Sequence, residues 1–256
     1  MCRGLPLLPG TPCHHGATGS RGVDREGDDP AGPVSLDAIE LPTSTMTQDY
    51  VKAVYNQEEW GPEGASTSEG ASTSELAARM GVGASTVSEN VGKLAAAGLV
   101  HHEPYGRITL TSDGRRIALA MVRRHRLVET YLSQALGYGW DEVHDDAEVL
   151  EHAVSETLLT RMDEVLGHPD RDPHGDPIPQ ADGTVRVPPA HRLDEVAPGG
   201  RGRIARISDA EPSLLREIAA LGLDLDEEVE AGALPLSAAA TGVIWVVARS
   251  GRAARS

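Results

Sequence analysis

The chain has 256 residues, with 39 acidic against 23 basic side chains for a net charge of −16, no Phe, and only 3% aromatic residues. That length suffices for two modest domains, whose cores must be aliphatic and alanine-rich. Cys2 and Cys13 are the only cysteines, which excludes a disulfide framework; no apolar run reaches membrane-spanning length, and Leu5–Leu8 is too short and Pro-broken for a signal peptide. A cytoplasmic protein with no membrane partner is expected.

Residues 1–45 are rich in Gly, Pro, Asp and Thr, lack periodicity, and read as a disordered tail. From Thr47 onward, Tyr50, Val51, Val54 and Tyr55 recur at helical spacing, up to Trp60-Gly61-Pro62. A tandem hexamer follows, Gly64–Glu69 then Gly70–Glu75, which reads as a loop expansion; its second copy offers Ser72 and Glu75 as a capping box for a helix over Glu75–Met80. Gly81-Val-Gly-Ala separates that helix from a second over Ser85–Ala97. Two short strands, Gly98–His102 and Arg107–Thr111, flank a turn at Pro104-Tyr-Gly106. Helix, glycine turn, helix and hairpin make a winged helix-turn-helix, although the two helices alone would also suit a generic bundle. Charge is distributed unevenly: Arg79 to Arg126 carries a net +5 and Asp141 to Asp170 a net −9, so a basic module able to meet phosphate adjoins an acidic one.

A long helix is expected from Asp113 to Leu136, with Ile117, Met121, Val128, Leu132 and Leu136 as its apolar stripe and Gly137 as its stop. Next comes Val143–His152, where His144, Glu148, Glu151 and His152 stand at offsets 0, 4, 7 and 8. At about 100° per residue they fall within an arc of roughly 100° on one helix face. His125 and Glu129 repeat the i, i+4 spacing on the preceding helix. Imidazole and carboxylate without thiolate suit Mn, Fe, Co or Zn. A solvated acidic face explains one such pair, whereas six residues on two adjacent helices favour a metal site. A further helix spans Ser155–Leu166, and Asp170–Pro179 reads as a Pro/Gly linker. The remainder, Val185–Ala248, offers strand-like pieces such as Arg203–Ile207 and Val243–Val247 around one helix, Glu211–Leu221, and reads as a small β-barrel.

In order, the winged helix, Arg124-His-Arg-Leu-Val-Glu129, Val143-His-Asp-x-Ala-Glu-x-x-Glu-His152 and Asp172-Pro-His-Gly-Asp-Pro-Ile-Pro179 resemble the diphtheria-toxin-repressor family of metal-dependent transcriptional repressors over roughly Met46–Glu230. The resemblance implies a mostly α chain with a small β domain. A winged-helix DNA-binding domain would span 46–115, a helical metal-binding and dimerisation domain 116–180, and an SH3-like β-barrel 181–256. It further implies two metal sites per subunit. The primary one would use Asp49, Glu148, Glu151 and His152; the ancillary one would use His125, Glu129 and His144 with Asp209 or Glu211 from the barrel. Iron-type members carry Met and Cys where this chain has Asp49 and Glu148, and harder oxygen ligands favour Mn(II), so the manganese branch is the better match. From Gly232 onward the chain departs from the family's barrel.

The expected protein is a homodimeric Mn(II)-activated repressor of metal-homeostasis genes, without catalytic activity, that binds a palindromic double-stranded DNA operator. Ser85, Thr86, Ser88, Glu89 and Asn90 of the recognition helix are candidates for base and phosphate contacts, with Lys93 and Arg107 for phosphate. An Fe(II)-dependent repressor is the alternative. A metallohydrolase is disfavoured by the lack of a Gly-rich loop, an HExxH motif or an acid/base pair outside the ligand set, and a metal-trafficking protein would not need a winged helix.

Overall fold

The computed structural model describes residues 35–36, 39–59, 70–103 and 106–248. Both cysteines, the first hexamer copy and the Pro104-Tyr105 turn lie outside these residues. Helix α1 (Thr45–Glu59) leads to α2 (Thr73–Met80) and α3 (Ala84–Ala96). Start and stop of α2 follow its sequence: Ser72 Oγ accepts from the Glu75 amide at 3.2 Å, Glu75 Oε2 accepts from the Ser72 amide at 2.7 Å, and Gly81 ends the helix in the left-handed region. Strands β1 (Val100–His102) and β2 (Ile108–Leu110) pair antiparallel, with His101 opposite Thr109. Tyr50, Val54, Leu76, Val91, Leu94 and Ile108 close a core over this winged helix.

Helix α4 (Ser112–Leu136), capped by Thr111, is the spine of the protein. Ala118 and Val122 near its start belong to the first core, while Leu127, Val128 and Leu132 pack a second core with α5 (Val143–Leu150) and α6 (Glu156–Leu166). The expected stripe stops short, because Leu136 lies on the last turn and is exposed. Helix α5 also ends sooner than the sequence suggests. The amides of Ala153 and Val154 both donate to Leu150 O, turning the chain toward the Ser155 cap of α6, so Glu151 and His152 lie just past the helix. The arginines that gave the region its positive charge are partly internal: Arg123 pairs with Asp163, Arg124 with Glu156, and Arg126 with Glu59.

Two stretches read as unstructured are ordered. Leu36 is buried and its amide donates to Ala181 O at 2.6 Å, and Pro42 O accepts from the Gln48 amide side chain at 2.5 Å, so the described part of the head is not a tail. Residues 170–179 are not a linker, since Asp172, His174, Asp176 and Ile178 are all buried. Asp172 Oδ1 accepts from the amides of His174 and Asp176, 2.9 Å each, and closes the turn with its own side chain. Gly175, at φ +89°, lies where a Cβ would come within 2.1 Å of Ala205 O, so glycine is what lets this loop press against the C-terminal sheet.

That sheet has the order β3-β6-β4-β5, all pairs antiparallel, from β3 (His191–Arg192), β4 (Arg201–Ile207), β5 (Glu228–Glu230) and β6 (Ile244–Ala248). Helices α7 (Pro212–Ala220) and α8 (Ala238–Gly242) complete its core with Ile204, Ile207, Leu215, Ile218 and Ile244. The expected barrel is not closed among the described residues. Its edges, the short strands β3 and β5, do not pair with each other. A register shift between Ile204 and Arg206 turns β4 so that Arg206 faces the 170–179 loop. Among the described residues no helix is long and apolar enough to cross a membrane.

Candidate metal centre

The expected single ligand face divides into two clusters. In the first, α1 carries Gln48, Asp49 and Lys52 against the α5 terminus. The Gln48 amide nitrogen donates to Pro42 O, which leaves its Oε1 to accept from His152 Nδ1 at 2.7 Å. That hydrogen bond places a proton on Nδ1, so in the neutral ring Nε2 presents a lone pair. Nε2 lies 3.0 Å from Asp49 Oδ1, a buried oxygen with no hydrogen-bond donor. Two electron pairs aimed at common space fit a shared cation. Burial pushes the Asp49 carboxyl up, and nearby Glu151 and Glu148 add to the shift against the pull of His152 and Lys52. The Lys52 ammonium sits 2.6 Å from Glu151 Oε1 and 2.8 Å from Glu148 Oε1.

The second cluster joins His125 and Glu129 of α4, His144 of α5 and Asp209, which follows β4. His125 Nε2 lies 3.0 Å and His144 Nδ1 3.3 Å from Glu129 Oε1, and Asp209 Oδ2 is 3.0 Å from His144 Nδ1. These four line a cavity of about 180 Å³ together with Glu148, Asp172 and Asp176. Burial opposes charge on either ring, yet Glu129 and neighbouring carboxylates raise His125 to about 9, and Asp209 with Glu129 raise His144 to about 10. Against its own burial, Glu129 is held well below the carboxylate range by His125 and His144. Glu211 is not part of this cluster: it is exposed, and its Oε1 accepts from Ser213. His125 also connects the clusters, since its Nδ1 meets Glu151 Oε2 at 2.6 Å.

Several residues beyond the expected ligands complete the centre. Lys52 stands one helical turn after Asp49, a spacing that sequence reading left unused. The 170–179 loop contributes Asp172 and His174, visible as a motif but read as linker. Arg126 joins Glu59 at 2.6 Å to Asp176 at 3.6 Å, and Arg206 reaches Asp176 at 2.6 Å while stacking over Trp245. Burial, then Asp176 and Glu129, raise Asp172 to about 8.

Ser85, Thr86, Ser88 and Glu89 are exposed on α3. Ser88 Oγ bonds back to Ala84 O, and Lys93 pairs with Glu89 at 2.8 Å. Asn90 instead turns inward, donating to Tyr50 OH at 3.2 Å. Arg107 pairs with Glu75 at 3.1 Å and reaches Gly70 O.

Family models match in chain order: an iron-dependent repressor N-terminal DNA-binding domain over 42–108, an iron-dependent repressor metal-binding and dimerisation domain over 111–180, and a FeoA domain over 191–239. The diphtheria toxin repressor of Corynebacterium diphtheriae is 31% identical over 172 residues, 67% of this chain and 69% of that protein. The chain belongs to the diphtheria-toxin-repressor family. The iron-dependent repressor IdeR of Mycobacterium tuberculosis is 35% identical over 133 residues, 52% of this chain and 55% of its own, so the chain spans about half the length of such curated relatives. A solved manganese-dependent transcriptional repressor in complex with manganese is 48% identical, with a TM-score of 0.72 over 79% of this chain and all of the other.

Proposed function

We propose that this repressor-family chain is a homodimeric, Mn(II)-activated DNA-binding repressor of metal-homeostasis genes, acting in the cytoplasm on a palindromic operator and without catalytic activity. The observation that carries this reading is on α1. Asp49 faces His152, and the adjacent Tyr50 accepts from Asn90 of the recognition helix α3. One helix therefore links the ligand cluster to the surface that would read DNA. Asp49, Glu148, Glu151 and His152 would hold one ion, and His125, Glu129, His144 and Asp209 a second. A bound dication supplies the charge that lets these carboxylates converge, tying α1 to the end of α5. With α1 held, Asn90 fixes α3, and Ser85, Thr86, Ser88 and Glu89 are presented to base edges with Lys93 and Arg107 toward phosphate.

Hard carboxylate oxygens at Asp49 and Glu148 favour Mn(II) over softer ions, and the 48% identity to a manganese-dependent repressor supports the same choice over iron. Exposed Val149, Leu150, Leu158 and Val165 on α5 and α6 give the dimer its apolar face. The test is an anaerobic titration of DNA binding with Mn(II), Fe(II), Co(II) and Zn(II), against random and palindromic duplexes. Binding only with metal, at lowest concentration for Mn(II), is expected. Activation at lower Fe(II) would transfer the reading to iron, and binding unaffected by any ion would end it.

A further inference from the structure

His174 is fully buried behind the His125–His144 cluster, on the 170–179 loop. Its Nε2 meets Trp140 O at 2.6 Å, and because a carbonyl only accepts, the ring proton is on Nε2. Nδ1 is then a lone pair in the neutral ring, buried and without a hydrogen-bond partner. It faces Glu129 Oε2 at 3.9 Å, and one ligand atom each from Glu129, Asp172 and His174 lie within 4.8 Å of one another. Asp172 uses Oδ1 to hold its turn, and its other oxygen is 3.8 Å from Arg126 Nε.

We propose that Glu129, Asp172 and His174 form a third, inner divalent-cation site, with the Glu129 carboxylate shared between it and the His125–His144–Asp209 site. This rests on the metal-site reading above. Glu129 Oε1 faces His125 and His144 while Oε2 faces His174, so one carboxylate has an oxygen for each ion. One imidazole nitrogen and two carboxylates suit the same Mn(II) or Fe(II) as the other clusters. Asp172 lines the same cavity as His125 and His144, so the inner group adjoins the ancillary one. An ion held there would tie α4 to the loop, and through Ile207 N donating to His174 O, to β4.

The test counts Mn(II) on the full-length, EDTA-stripped protein by equilibrium dialysis. Three ions per chain are expected, two in Asp172→Asn and His174→Gln, and one in Glu129→Gln. Asp172→Asn keeps the oxygen that holds the turn, and melts in EDTA check that each variant folds. Electron paramagnetic resonance is independent of any variant: a shared carboxylate gives an exchange-coupled Mn(II) pair as the third equivalent is added. A parent that binds two ions, with both loop variants also at two, overturns the inner site and leaves the two-site reading intact. Three ions in all of these proteins would place the third elsewhere and overturn it too, as would the absence of coupling. A parent that binds none removes the two-site reading itself.

Discussion

The Lys52 ammonium lies 2.6 Å from Glu151 Oε1, and both side chains are buried. With Glu148 2.8 Å from the same nitrogen, α1 delivers its own cation to the carboxylates proposed to hold metal. Removing one partner of a buried pair leaves the other uncompensated, which costs about 3–5 kcal/mol. Lys52→Met is therefore expected to lose stability of that order in EDTA, and Mn(II) is expected to raise its melting temperature more than it raises the parent's. Equal Mn(II) responses in the two proteins would show that Lys52 does not share the ion's electrostatic role.

Asp209 and Glu211 are two residues apart in sequence but only Asp209 reaches His144, at 3.0 Å. Asp209→Ala is expected to weaken the ancillary ion by about 10- to 100-fold. Glu211→Ala is expected to bind as the parent does. Calorimetric titration of both variants decides the matter, and an equal loss in each would contradict the geometry.

The imidazoles give the metal-free protein a definite pH dependence. His125 and His144 are raised to about 9 and about 10 from 6.5, so their contribution to stability is complete below pH 6.5 and is lost as pH rises through those values. Urea midpoints in EDTA should fall between about pH 6.5 and pH 10. With Mn(II) bound the rings are neutral ligands, and that fall should disappear while binding releases protons. A midpoint flat across this range in EDTA would refute the protonated pairs.

Val149 and Val165 are among the most exposed large apolar residues of the chain, at 71% and 73%. Val149→Glu with Leu158→Glu is expected to leave a folded monomer in light scattering and to abolish operator binding, because a single recognition helix makes half the contacts. A variant that stays dimeric would move the interface elsewhere.

Local rules carried much of the fold. The Ser72–Glu75 box, the Gly81 and Gly137 stops and the 3.6-residue stripe of α4 are short-range signals, and helices α1 to α7 begin and end within a few residues of where they point, whereas the short α8 was not expected. The departures are tertiary. Whether residues 170–179 are linker or core depends on a carboxylate closing its own turn and on Gly175 fitting under Ala205, neither of which Pro and Gly content reveals. The ligand types were legible because His and acids recur at helical offsets on two adjacent helices, and their division into two sets came from the family resemblance; that Glu151 and His152 lie past the end of α5 at Leu150 did not show in the offsets. Lys52 and Gln48 were missed because a lysine and a glutamine on a helix ordinarily face water.

Asp176 is shared by Arg206 of β4, at 2.6 Å, and Arg126 of α4, at 3.6 Å, and Arg126 in turn holds Glu59 of α1. This makes the C-terminal sheet hard to shed. A shortened descendant lacking β4 would retain a buried acid balanced by a single distant guanidinium, and it would survive only with a matching change at position 176 or 126. Gain or loss of the sheet within such a lineage should therefore be accompanied by substitutions in the helical part of the chain, at positions 126 or 176.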